Sequence, residues 1–299
     1  MNLWFGALSQ GLIYSFLALG VYLSFRVLKF PDMTVDGSLV TGAAVTGILL
    51  VKGVNPILAI ILAVIAGSAA GLLTGLINTK LKIAPLLSGI LMMTALYSIN
   101  LHILGRSNLP LLRTRSLMTM IMQENLPVSR DIVHLIFFLL LVILIRMIIV
   151  WFLKTDLGLA FRATGDNPEM ITAQGVNIHY TKILGLAIAN GFVALSGSLV
   201  AQYQGFADVG MGIGMLVAGL ASVVIGETLV HGLKIGKVIS AVILGSVIFR
   251  LLIALALKAG LNPIDLKLVT AVFVLLALCF PLIKKFFREL RRKGAVNND

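Results

Sequence analysis

"IVHLIFFLLLVILIRMIIVWFL", residues 132–153, carries a single full charge, Arg146, in an otherwise apolar run. At about 1.5 Å per residue, a helix of this length crosses the ~30 Å hydrocarbon layer of a bilayer. It offers water no polar face, so its place is in lipid. Apolar blocks of the same kind recur at about 3–25, 38–51, 56–78, 86–104, 183–203, 214–230, 235–257 and 266–283. Composition agrees: 59% of residues are hydrophobic and 12% charged, and the mean hydropathy is +1.05. Soluble domains carry roughly 25% charged residues. The expected fold is all-α, a polytopic helical membrane protein of eight or nine spans forming one transmembrane domain over residues 1–299. The second and seventh blocks are short and interrupted by glycine. The longest connection, 105–131, is too short to hold a soluble domain.

The net charge of +12 does not point to nucleic acid, because the Lys and Arg residues are scattered over loops or gathered at the C-terminus rather than laid along one face. The excess of Lys and Arg in cytoplasmic segments places the basic tail, 284–299, inside. Counting back puts 231–237, 154–182, 79–85 and 26–37 on the same side and, with nine crossings, the N-terminus outside. The loop holding Arg106, Arg113, Arg115 and Arg130 runs against that rule, and one re-entrant segment would flip the parity upstream of it. Phe286, Phe287 and Leu290 among the tail charges suit contact with anionic lipid, although a topology anchor explains the same residues. Met1-Asn2-Leu3 has no basic n-region, so the first block reads as a retained span. Cys279 has no partner for an intrachain disulfide.

Enzyme chemistry has little support. "GLKIGKV", 232–238, has the wrong spacing for a phosphate-binding loop and lacks its Ser or Thr. His102, His134, His179 and His231 form no metal-ligand pattern, and no GxSxG is present. No cofactor or metal of its own is expected.

Between two apolar rods lies "GLAFRATGDNPEMITAQGV", starting at Gly158. Asn167 suits an N-cap, Pro168 a first helical position, Glu169 a first turn and Gly175 a left-handed stop. The pattern predicts a two-turn helix, Pro168 to Gln174. Met170, Ile171 and Ala173 form an apolar side, and Arg162, Asp166 and Glu169 a polar rim. So short a helix is marginal alone. It reads either as a docking knob for another protein or as a plain interfacial helix.

Thr155 to Asn177 resembles the cytoplasmic signature of bacterial ABC-importer permeases in the branched-chain amino acid and ribose group, through Gly158, Arg162-Ala163, Asp166-Asn167, Ala173 and Gly175-Val176-Asn177. "KFPDMTVDGSLVTGA", from Lys29, and "GLASVVIGE", from Gly219, resemble further family segments in the same order. Pro31-Asp32 and Val35-Asp36-Gly37 depart from branched-chain members and look more like a branch associated with aromatic amino acids such as tryptophan and tyrosine. The resemblance implies a permease of the bacterial inner membrane with its C-terminus cytoplasmic. It implies Arg162, Asp166, Asn167, Pro168, Glu169 and Gly175 at the contact with a separate ATPase, which would use ATP and magnesium. Its partners would be a second copy of the chain, cytoplasmic ATP-binding subunits, an extracytoplasmic substrate-binding protein and the lipid bilayer.

For the translocation path the candidates are Asp32, Met33, Thr34, Asp36, Gly37, Asp208 and Glu227. Pro31 and Gly37 flank the two acids, so continuous helix is not expected there. Broken backbone at membrane depth lines a cavity or is buried in protein. Alternatively, Asp32 and Asp36 are helix caps in a loop. "FPDM" at Phe30 and "FADV" at Phe206 both precede a short Gly-rich span and fall on opposite faces, as in an inverted repeat. Arg250, mid-span, is expected to pair internally, and Arg146 to snorkel. The reading is a passive membrane subunit of an importer for aromatic or other hydrophobic amino acids. The alternatives are a proton-coupled transporter using Asp32, Asp36 or Glu227, and a branched-chain amino acid, sugar or nucleoside as cargo.

Overall fold

The computed structural model describes residues 3–121, 129–229, 234–262, 265 and 268–276. Within them eight helical segments are long and apolar enough to cross a membrane, in keeping with a polytopic helical membrane protein. Helix α1 (Leu3–Val21) continues into a π-helical turn, Tyr22–Val27. Next come α2 (Thr34–Val51), α3 (Pro56–Lys80) and α4 (Pro85–Leu104). A short strand β1 (Asn108–Pro110) and helix α5 (Leu117–Ile121) precede α6 (Arg130–Phe152). Two short helices, α7 (Asp156–Asp166) and α8 (Pro168–Ala173), lead into α9 (Ile178–Gln204). Strand β2 (Phe206–Asp208) and a 3-10 turn, Val209–Gly212, precede α10 (Met215–Leu229) and α11 (Ile235–Lys258). Residues 268–276 are helical and fall in the ninth expected span. The rest of that span, Cys279, His231, the tail 284–299 and part of 105–131 lie outside the described residues.

Local chemistry sets the helix ends. Asn55 accepts the Ile57 N–H ahead of Pro56 at the start of α3, and Asn177 accepts the His179 and Tyr180 N–H groups at the start of α9. Gly105 and Gly205 close α4 and α9 in left-handed conformations.

Helix α9 is the central post, packed against α1, α2 and α3. Its contact with α3 depends on glycine: a Cβ on Gly71 would lie 2.1 Å from the Leu186 carbonyl oxygen. In lipid the helices gain little from hiding apolar surface, so close backbone approach and interhelical hydrogen bonds carry the association. Thr46 and Ser198 supply one such bond at 2.6 Å, and the Ser246 hydroxyl donates to the Gly11 carbonyl. Helix α6 is peripheral, with Leu140, Met147 and Trp151 turned outward.

The spans alternate. At one end β1 pairs antiparallel with β2, Asn108 opposite Asp208, and Lys258 at the end of α11 lies over the Trp4 ring near the start of α1. At the other end sit α7 and α8. Arg146 Nε donates to Ser240 Oγ at 2.7 Å, and its Nη2 reaches the Gly236 carbonyl at the start of α11, so the side chain tethers α6 to α11.

Candidate functional site

The irregular backbone covers residues 28–33, so the expected break holds at Pro31-Asp32 but does not extend to Asp36-Gly37. Lys29 turns the chain in a left-handed conformation (φ 51°), and α2 starts at Thr34, so Asp36 and Gly37 belong to its first turn. The cause is Asp32, whose Oδ1 accepts the Thr34 N–H at 2.9 Å and starts the helix early. Asp32 is fully buried. Its Oδ2 accepts from Asn190 Nδ2 at 2.7 Å, and Asn190 Oδ1 accepts the Ser38 hydroxyl at 2.6 Å. Asn190 lies near the middle of the 27-residue α9, so this network sits deep in the bundle. Thr34 meets Thr74 of α3 hydroxyl to hydroxyl at 2.8 Å. Met33 is packed against α4, where a Cβ on Gly89 would strike its backbone nitrogen.

A second irregular segment reaches the same depth from the β-ribbon end. Ala207 packs beside Gly47, while Gly212 has come down beside Asp36, where its own Cβ would lie 2.1 Å from the Asp36 carbonyl oxygen. Helix α10 starts there. Asp36 caps it from across the bundle: Oδ2 accepts the Gly214 N–H at 3.0 Å and Oδ1 the Leu216 N–H at 2.7 Å. A carboxylate suits the partial positive charge of a helix start. The beginnings of α2 and α10 thus meet at mid-bundle, one helix leaving towards each end. Asp32 and Asp208 make the same local bond, each accepting the N–H two residues on, although Phe206–Asp208 is a strand and Phe30–Asp32 is irregular.

Beside this junction lies a cavity of about 420 Å³ between α2, α4 and the 209–213 turn, a size that suits a small organic solute. Val40, Met93 and Ile213 supply apolar wall, with Tyr97, Asn100 and Asp36 as polar groups. Tyr97 is 54% exposed and Ser98 and Thr94 are exposed beside it. These three side chains put a polar strip beside the cavity.

The other expected path residues lie elsewhere. Asp208 is at the β-ribbon end, where Oδ2 accepts from Asn108 Nδ2. Glu227 is at the opposite end, ion-paired with Arg26 of the π-helical turn. The seven candidates therefore occupy three levels, and only Asp32, Met33, Thr34, Asp36 and Gly37 share the junction. Arg250 does not pair with an acid among the described residues; its guanidinium stacks on the Tyr14 ring, 3.6 Å from the centroid.

The segment 154–182 holds two helices where one was expected. Thr155 caps α7 by accepting the Gly158 N–H. Asn167 caps α8 by accepting the Met170 N–H at 3.0 Å, with Pro168 at its start and Glu169 in its first turn. Gly175 (φ 86°) closes it, with Val176 N–H bonded to the Ile171 carbonyl and Gly175 N–H to that of Thr172. The expected apolar side is split: Ile171 is buried, while Met170 is 52% exposed and Ala173 is exposed as well. Helix α7 is seated firmly. Its Gly165 lies against the Val27 carbonyl oxygen, 1.9 Å from where a Cβ would stand. Thr164 meets Thr181 of α9 at 3.0 Å, and Asp166 pairs with Lys29 at 2.9 Å. Arg162 is half-buried in the same helix. Sequence reading missed Asn190, Asn100, Tyr97 and Lys29. A lone amide inside an apolar run was the available signal for the two asparagines.

Comparison with known proteins adds a family. The description "branched-chain amino acid transport system / permease component" matches residues 3–279. The chain is 44% identical over 268 residues to the tyrosine transport system permease protein of Clostridioides difficile (strain R20291), covering 90% of this chain and 88% of that one. It is 35% identical over 282 residues to an uncharacterized protein of Rickettsia prowazekii, covering 93% and 97%. It is 26% identical over 223 residues to the ribose import permease protein of Bacillus subtilis, covering 72% and 66%. No solved structure matches.

Proposed function

The chain belongs to the family of branched-chain amino acid transport system permease components, and on that footing we propose that it is the membrane subunit of an ATP-driven importer of aromatic or other hydrophobic amino acids. Two copies form the pore in the bacterial inner membrane, with the α7–α8 end cytoplasmic. A separate ATPase, holding ATP and magnesium, docks on α8 and its rim, Arg162 and Asp166 to Gly175. An extracytoplasmic binding protein delivers cargo at the β-ribbon end.

The observation that carries this reading is the seat of Gly165 on Val27. A push on α8 passes through α7 to the end of α1, and five residues later the chain reaches Asp32, Asn190 and the start of α2. A plain interfacial helix has no need of this connection to the middle of the bundle. The acids speak against a proton carrier, since Asp32 and Asp36 hold helix starts in place. The likeness to a tyrosine permease supports an aromatic cargo.

The test is uptake of labelled tyrosine into proteoliposomes. It is expected to need the ATPase and ATP, and to stop when Pro168–Gln174 is deleted while the spans stay folded. Uptake that persists without ATPase and collapses with an ionophore overturns the proposal.

A further inference from the structure

We infer that the cavity between α2, α4 and the 209–213 turn is a cargo subsite built for an ammonium group joined to an apolar or aromatic body, so that this chain itself selects its solute. The inference rests on the permease reading above and extends it to the chemistry of the site.

Asn100 carries the first part. It lines the cavity, is 1% exposed, and its Oδ1 has no hydrogen-bond partner among the described residues. The amide orientation follows from the wall: Nδ2 donates to the Gly37 carbonyl at 3.1 Å. Turning the amide over would set two oxygens against each other, so the unsatisfied atom is the acceptor. A buried acceptor left without a donor is costly, and such groups call for an explanation. A cargo N–H supplies one.

Asp36 adds acceptor capacity to the same wall. Its carboxyl group accepts the backbone N–H groups of Gly214, Met215 and Leu216 at the start of α10, and a carboxylate has about four acceptor positions, which leaves room for a further donor. Val40, Met93, Val209, Ile213 and the Tyr97 ring supply apolar wall, and Thr94 and Ser98 bring hydroxyls to one side of it. A sugar, with hydroxyls on every side, finds no partners along the wall of Val40, Met93, Val209 and Ile213. An amino acid with a large apolar side chain matches both halves of the cavity.

The experiment is equilibrium binding of labelled L-tyrosine to the full chain in nanodiscs, with three competitors. Tyramine keeps the ammonium and lacks the carboxylate, 3-(4-hydroxyphenyl)propionate lacks the ammonium, and ribose lacks both. Tyramine is expected to compete at least about tenfold better than the other two, since a site with an unpaired buried acceptor rejects ligands without the donor. Asn100→Leu is expected to weaken tyrosine binding about tenfold or more. Tyr97→Ala, at an exposed position that leaves the fold alone, is expected to weaken tyrosine more than alanine. Equal competition by the propionate, or unchanged binding in both Asn100→Leu and Tyr97→Ala, overturns the subsite. Absence of binding together with ATP-driven uptake overturns the subsite and leaves the importer standing. Specific binding with uptake indifferent to the ATPase overturns the importer and leaves the subsite.

Discussion

Asn190 shows how one side chain can hold three segments. Its Nδ2 donates to Asp32, its Oδ1 accepts the hydrogen bond of the Ser38 hydroxyl, and α9 carries it. Removing it takes a hydrogen bond from a buried carboxyl group and leaves the Ser38 hydroxyl without its acceptor, a loss of about 1–3 kcal/mol. Asn190→Leu is therefore expected to lower the thermal unfolding midpoint clearly. Asp32→Asn, which leaves no charge behind, is expected to lower it less, and the reverse order in a detergent melt would contradict this account. The Arg26–Glu227 pair is a different case. Its side chains are 52% and 29% exposed, and pairs with that much solvent contribute about 1 kcal/mol at most. Glu227→Gln is expected to leave the melting curve close to wild type.

At the scale of elements, α7 and α8 divide the work. Helix α8 is a short rod finished by Asn167 and Gly175, and in the proposed importer α7 would be the lever under it. Asn167→Ala removes the cap and weakens α8 by about 1 kcal/mol. ATPase co-purification is the measurement expected to suffer, with span stability unchanged. Gly165→Ala acts elsewhere. Its methyl would enter the Val27 carbonyl and force α7 away from the end of α1. The ATPase is expected to remain bound while ATP-driven tyrosine uptake falls; uptake at the wild-type rate would contradict the lever. These elements were unequally legible. The cap, proline and glycine of α8 are local signals within a few residues, so its limits could be read. Helix α7 was missed because Thr155 is a lone cap without the surrounding pattern. The start of α2 was misplaced because Pro31 and Gly37 read as breaks, while the Asp32 side chain begins the helix between them.

The whole molecule is organised by its two ends and its middle. Connections at one end are tied by the β1–β2 pair, and those at the other by α7 against α1 and α9. With Cys279 replaced, a cysteine at Leu112, which is 83% exposed, and one at exposed Thr172 are expected to react with an impermeant maleimide from opposite sides of the membrane. Position 112 should be labelled in intact right-side-out vesicles and position 172 only after they are opened. Labelling of both from one side would contradict the alternation. The candidate site was legible only in part. Asp32 and Asp36 stood out as charges in an apolar chain, and their flanking residues joined them at the junction. Asp208 and Glu227 stood out for the same reason, yet went to the ends.

The membrane class, the approximate spans and the capped α8 follow from the sequence by itself, because each depends on residues near in the chain: apolar length against bilayer thickness, or a cap against its own helix. The meeting of α2 with α10, the capping of Gly214 and Leu216 by Asp36, and the bond from Asn190 to Asp32 were decided only by the tertiary structure. Those partners are separated by more than 150 residues of chain, and any acceptor of the right reach would satisfy the same donors. Which one does so depends on how closely glycines such as Gly71 and Gly212 let the backbones approach.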